Sequence, residues 1–148
     1  MRERPAAKGT KPSSVELIVR FGNGGRLTME DLALIEAIRK ERSILGASRV
    51  TGVSYRKCWL TVDALNRTFE TAVFATHPGR RGGGADLTPF GERLVALYRS
   101  MERRSRTATA QAVAELTASL NPVYQARASA EVAEWPQPRS KPSRWRRS

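Results

Sequence analysis

Ser43-Ile44-Leu45-Gly46-Ala47-Ser48-Arg49-Val50-Thr51-Gly52-Val53-Ser54-Tyr55-Arg56-Lys57-Cys58-Trp59 is the stretch on which the reading of this chain turns. Ser43 and Ser54 each stand where a side-chain oxygen can accept from the free backbone N–H groups that open a helix. The first helix so predicted is short, running to about Val50. Thr51-Gly52-Val53 then makes a tight turn in which Gly52 supplies a positive φ, and a second helix starts at once. Along that helix Cys58, Val62, Leu65 and Phe69 recur at i, i+4, i+7 and i+11, one apolar stripe on a 3.6-residue period. Trp59 and Asn66 flank the stripe, with Trp59 expected on the inward side. Arg56, Lys57, Asp63 and Arg67 make the opposite face polar and net basic.

On the N-terminal side, Val15-Glu16-Leu17-Ile18-Val19-Arg20-Phe21 reads as a strand, stopped by Gly22-Asn23-Gly24-Gly25. Thr28 can cap a helix from Met29 to about Lys40, in which Leu32, Leu34, Ile35 and Ile38 fall at helical spacing. Glu30 and Asp31 lie in its first turn, where the helix dipole favours negative charge. On the C-terminal side, Ala72 to Thr76 has strand character, His77 to Gly84 is a Gly-rich basic loop, and Ala85-Asp86-Leu87 returns. This predicts a β-hairpin with a flexible tip. Thr88-Pro89 opens a long helix, since Pro is tolerated in a first turn. Its stripe is Phe90, Leu94, Leu97, Tyr98 and Met101, and its end is basic at Arg103, Arg104 and Arg106. A second, Ala-rich helical stretch from about Thr109 to Leu120 stops at Asn121-Pro122, with a weak helix expected from Tyr124 to Glu134.

A short helix, a tight turn and a longer helix with one apolar and one basic face is the arrangement of a helix-turn-helix, and the following hairpin makes it a winged one. The expected fold is therefore mainly α with a small β-hairpin: a winged helix-turn-helix with a long C-terminal dimerisation helix. Four segments follow: a flexible basic arm (1–13), the winged helix-turn-helix with the start of its linker helix (14–106), an Ala-rich helical extension (107–134) and a basic Pro/Arg tail (135–148). An α-helix about 10 to 12 Å across fits a major groove about 12 Å wide.

Charge points the same way. The 148 residues carry 26 Lys+Arg against 14 Asp+Glu, a formal net charge of +12, which suits a polyanionic partner. Residues 1 to 12 contribute +3 and residues 135 to 148 contribute +5, leaving +4 for the 122 residues between. Two thirds of the excess thus lies in short terminal stretches that raise affinity for phosphate without reading sequence. Specificity falls to a few placed residues.

The segment from Ser43-Ile44 through Ala47-Ser48-Arg49, then Gly52-Val53-Ser54-Tyr55-Arg56-Lys57-Cys58-Trp59, Val62-Asp63, Leu65-Asn66, Arg81-Gly82-Gly83-Gly84-Ala85, Leu87-Thr88-Pro89-Phe90-Gly91 and Leu97-Tyr98, resembles the N-terminal DNA-binding domain of ModE-type molybdenum-responsive transcriptional regulators, relatives of the LysR-type winged helices. The resemblance covers about residues 14 to 105. It implies that Ser54 to Lys57 lead the recognition helix, that His77 to Ala85 form the wing, and that the helix from Pro89 to about Met101 packs in a homodimer. Arg42 stands where the family usually has Gly, and Gly46 and Ser48 where it favours Ala. Gly46 is expected to weaken its helix by about 0.5 to 1 kcal/mol relative to Ala. The family's oxyanion-binding modules have no counterpart in the roughly 40 residues after Arg106. Molybdate binding by this chain is accordingly doubtful, and a stand-alone DNA-binding protein is expected.

Ser54, Tyr55, Arg56 and Lys57 are expected to contact bases, and Arg49, Arg67, Arg80 and Arg81 to contact the backbone. His77, with no evident partner, is a plain loop residue or a phosphate contact. Leu94, Leu97, Tyr98 and Met101 are assigned a shared role in core and dimer seam. A nucleotide-cradling loop at Arg80 to Gly84 is disfavoured, because a P-loop continues with Lys-Ser/Thr and here Ala85-Asp86 follows. Cys58 reads as a small buried hydrophobe. One Cys and one His on different elements supply no nucleophile-and-base pair, so neither an enzyme, a metal site nor a cofactor is expected. The absence of a long apolar run argues against a membrane span, and cytoplasm is the default. The expected partners are double-stranded DNA and a second copy of the chain, with a protein-binding winged helix or a non-specific nucleoid-type binder as alternatives.

Overall fold

A computed structural model describes residues 11 to 80 and 83 to 126. The chain divides into two units, the compact Lys11–Ala118 and a terminal one that includes Ser119–Ser148. Of the terminal unit only residues 119 to 126 are described. There Asn121 Oδ1 accepts from Val123 N at 2.9 Å, and Asn121 O accepts from Tyr124 N at 3.3 Å. Tyr124 to Ala126 are not helical. The rest of the helix expected to Glu134, the basic tail and most of the N-terminal arm lie outside the described residues.

The larger unit is mainly helical: β1 (Val19–Arg20), β2 (Arg26–Leu27), α1 (Met29–Glu41), α2 (Ile44–Thr51), α3 (Tyr55–Thr68), β3 (Phe74–His77), β4 (Gly84–Leu87) and α4 (Pro89–Ala118). The strands pair as two separate antiparallel hairpins, β1 with β2 and β3 with β4. Two features differ from expectation. The seven-residue strand at Val15 to Phe21 is reduced to two paired residues, because β2 is itself only two residues long and offers no further partner. The two helical stretches after Pro89 are one continuous helix. Residues with good helix propensity, five alanines among residues 107 to 118, dominate the stretch past Arg106 and carry the helix on.

Each helix begins where a local hydrogen bond starts it. Thr28 and Asp31 form a reciprocal capping box at α1. Ser43 accepts from Gly46 N at 3.0 Å, Ser54 from Lys57 N at 3.2 Å and Thr88 from Gly91 N at 3.0 Å. Gly52 closes α2 with φ 74°, a left-handed conformation that costs a residue with a Cβ about 1 to 2 kcal/mol.

The core is where the three short helices meet. Leu32, Ile35 and Ile38 of α1, Ile44 and Ala47 of α2, and Cys58, Val62 and Leu65 of α3 are buried together with Val73, Phe74, Ala85, Leu94, Val95 and Tyr98. Burying each such aliphatic side chain contributes on the order of 1.5 to 3 kcal/mol. Tyr98 is fully enclosed, and its hydroxyl donates to Leu17 O at 2.6 Å, tying the segment before β1 to α4. Phe69 stands edge-on to both Phe21 and Phe90, with centroids 5.2 and 5.3 Å away. That ring cluster fixes the first hairpin, the end of α3 and the start of α4 to one another.

Candidate nucleic-acid interface

The α2–Gly52–α3 unit presents a surface that the core does not use. Opposite the buried stripe of α3, Arg56, Leu60, Asp63 and Arg67 repeat the same i, i+4, i+7, i+11 spacing and are all exposed. Arg67 sits 3.2 Å from Asp63, an exposed pair worth only about 0.3 to 0.5 kcal/mol. Arg49 at the end of α2 and Arg56 and Lys57 at the start of α3 are exposed on the two sides of the Gly52 turn. None of these three forms an ion pair with another described residue.

The turn between the helices is rigid. Ser48 donates to Val53 O at 2.5 Å, Thr51 to Ala47 O at 2.7 Å, and Val53 N returns to Thr51 Oγ1 at 3.3 Å. Cys58 sits beneath, and burial pushes its thiol pKa up, which keeps it protonated and unreactive. Ser48 replaces an Ala favoured in the resembled family, and its hydroxyl is one of the bonds that hold this turn. Gly46 has a reason as well: an added Cβ would lie 3.0 Å from Glu41 Cβ.

The β3–β4 hairpin packs directly on α3. Gly83 is buried with φ 70°, and an added Cβ would come within 2.6 Å of the Trp59 ring and 3.1 Å of Tyr55 Oη. Tyr55 and Trp59 meet edge-on below it. The sequence suggested a flexible tip through all three glycines, yet Gly83 and Gly84 are enclosed. Trp59 is half-buried: it packs against the core, as expected, and also supports the hairpin. From the other end of α3, Asn66 accepts from Val73 N and Phe74 N, each at 2.9 Å, and donates to Phe74 O at 3.1 Å. Asn66 thereby holds the start of β3. Sequence reasoning placed it beside the stripe and gave it no role.

The hairpin is also tied to the α1–α2 junction. Ile44 N donates to Gly83 O at 2.9 Å and Ala85 N to Arg42 O at 3.3 Å, with Ser43 bridged to Gly84. Arg42 has φ 54°, which accounts for the Gly usual at this position in the resembled family. Its guanidinium reaches Asp86 Oδ1 at 2.9 Å, while His77 Nε2 lies 3.0 Å and Arg80 Nη1 3.4 Å from Asp86 Oδ2. His77 therefore has a partner, contrary to the expectation of an unpartnered loop residue. The Arg42 hydrogen bond, aided by His77 and the nearby positive charges, holds the Asp86 carboxyl below the usual carboxylate range against the opposing effect of burial. A lone acid inside a basic hairpin was the available signal for this cluster. Arg81 lies outside the described residues.

On α4 the assigned set divides. Leu94 and Tyr98 are buried within the unit, whereas Leu97 and Met101, on the same stripe, are 46% and 38% exposed. Among the described residues no group of three or more His, Cys, Asp or Glu is placed to hold a metal ion, and no helix is long and apolar enough to cross a membrane.

A helix pair across a tight turn, followed by a hairpin seated on the second helix, is compatible with the winged helix-turn-helix class. No protein-family model matches the chain. The chain is similar to the molybdenum-pterin-binding protein MopB of Rhodobacter capsulatus, 41% identical over 86 residues that make up 57% of this chain and 32% of the relative. It is 40% identical to the molybdenum transport protein ModE of Azotobacter vinelandii, over 53% of this chain and 30% of that protein. It is 34% identical to the DNA-binding transcriptional dual regulator ModE of Escherichia coli strain K12, over 45% and 26%. These similarities relate about half of the chain to proteins of the ModE kind, and the chain spans about a third or less of each relative's length. The relatives' names are those of regulators and molybdenum-binding or transport proteins, not of enzymes.

Proposed function

We propose that this chain is a sequence-specific, DNA-binding transcription regulator that acts as a homodimer. α3 is its recognition helix, entering the major groove with Arg56, Leu60, Asp63 and Arg67 outward, and β3–β4 is the wing that follows the backbone or minor groove. Arg56 takes a base edge, Leu60 offers an apolar contact to a thymine methyl, and Ser54, Tyr55 and Lys57 complete the leading turn. Arg49 and Arg81 belong to the backbone contacts, whereas Arg80 and His77 stay with Asp86. Leu97 and Met101 supply the exposed part of a dimer seam on α4, so that two subunits read a roughly palindromic site. The protein acts in the cytoplasm. DNA binding, and not molybdate binding, is what we assign to these residues.

The observation that carries this reading is the separation of the cations. Arg39, Arg42 and Arg99 are engaged by carboxylates of other elements and Arg80 by Asp86 of its own hairpin, while Arg49, Arg56 and Lys57 stand exposed and free of ion pairs with described residues around one hydrogen-bonded turn. Uncompensated charge costs self-repulsion in a folded protein and is stabilised when an anion arrives.

Fluorescence anisotropy with genomic DNA fragments tests it. Engagement of six to ten phosphates predicts an affinity loss of about 10³ to 10⁵ fold between 50 and 200 mM salt. Failure to bind any fragment at 50 mM salt would refute the reading.

A further inference from the structure

The first hairpin carries a surface that the reading above leaves unused. β1–β2 lies along the flank of α3 opposite to the one that supports Gly83. A groove of about 380 Å³ runs between them, lined by Gly24, Gly25 and Arg26 on the hairpin side and by Lys57, Thr61 and Ala64 on the helix side. Arg26 and Lys57 are both exposed, and neither forms an ion pair with another described residue. Asp31, the one carboxylate that lines this groove, is committed through Oδ2 to Thr28 N at 2.9 Å. Arg26 and Lys57 also line the adjoining groove on the α1 side, together with Asp31, Glu16 and Glu30, and neither glutamate pairs with them.

The hairpin is fixed to the helix. Asn23 Nδ2 donates to Thr68 O at 2.9 Å and Asn23 Oδ1 accepts from Gly25 N at 3.0 Å. The Gly25 backbone approaches so closely that an added Cβ would overlap Thr68. Phe21 stacks edge-on against Phe69. The backbone that carries Arg26 is therefore held beside the exposed face of α3.

We propose that β1–β2 is a second backbone clamp: Arg26, facing Lys57 across the groove, takes a DNA phosphate on the side of α3 away from the β3–β4 hairpin. The recognition helix is then straddled by two hairpins, and the first brings Arg26 to one wall of the major groove. This rests on the assignment of α3 as the recognition helix, and the experiment separates the two claims.

Binding of a selected DNA site by the full chain is measured against salt for wild type, Arg26→Ala, Arg26→Lys and Arg56→Ala, with circular dichroism melts to confirm folding. Counterion release at one phosphate predicts that Arg26→Ala weakens binding roughly 8-fold at 0.1 M salt and lowers the salt slope by about 1, equally on all sequences. Arg26→Lys should retain both values. If Arg26→Ala binds with wild-type affinity and slope while Arg56→Ala is impaired, the second clamp is overturned and the recognition helix stands. If Arg26→Ala changes base preference instead of slope, the phosphate assignment is equally overturned. If wild type binds no DNA, both claims fall.

Discussion

The leading turn of α3 and the β3–β4 hairpin are both basic and use their charges in opposite ways. On the hairpin Arg42, His77 and Arg80 converge on one carboxylate, Asp86. Those contacts tie β4 to the junction of α1 and α2, and the charge is part of the architecture. In the leading turn Arg56 and Lys57 have no such carboxylate, and the residues beneath them, Ser48, Thr51 and Ser54, spend their hydroxyls on the backbone. Rigidity there comes from neutral hydrogen bonds, which leaves the cations available to a ligand. A chain whose net charge suggested any polyanion thus sorts its arginines by whether a carboxylate faces them.

That contrast can be broken at the hairpin first. Gly83→Ala places a Cβ against the Trp59 ring at a backbone angle that L-residues avoid. We expect a loss of about 1 to 3 kcal/mol in urea denaturation. A variant as stable as wild type would show that the hairpin is not seated on α3 as described.

A smaller effect sharpens the architectural side. Because the folded pKa of Asp86 is depressed, its contribution to stability is present above the unfolded value of about 3.9 and disappears as pH falls through the lower folded value. Asp86→Asn should melt below wild type at neutral pH, and the two curves should converge in acid below about pH 4. A gap that persists unchanged at low pH would mean that the carboxylate charge does not hold the cluster. Smallest is Gly46→Ala. Helix propensity alone predicts a gain of about 0.5 to 1 kcal/mol, but the 3.0 Å approach to Glu41 Cβ should cancel most of it. A full gain in thermal melting would show that Glu41 yields freely.

What could be read from the chain was whatever neighbours in sequence decide. Thr28, Ser43, Ser54 and Thr88 each bond a backbone N–H three residues on, so a cap is visible from its own tetrad. The stripe at Cys58, Val62 and Leu65 is likewise local, and so is the positive φ at Gly52. The hairpin contacts are not. Asn66 meets Phe74 eight residues away, Arg42 meets Asp86 across 44 residues, and Tyr98 bonds Leu17 across 81. Nothing in the pattern around Arg42 marks it for a left-handed backbone. The departure from Gly at that position was visible, but its reason lies in how α1 ends against β4. For the candidate interface, the outward row of α3 was legible from periodicity. The division into engaged and free cations required knowing where Asp86 and Glu36 fall in space.

The most direct test of the central claim is selection of bound sequences from a random DNA library by wild type and Arg56→Ala. The account predicts that wild type enriches one roughly palindromic motif and that Arg56→Ala, folded and still salt-sensitive, loses preference at one base pair of each half-site at a cost of about 1 to 3 kcal/mol. Enrichment of no motif by wild type, or an identical motif from both proteins, would contradict it.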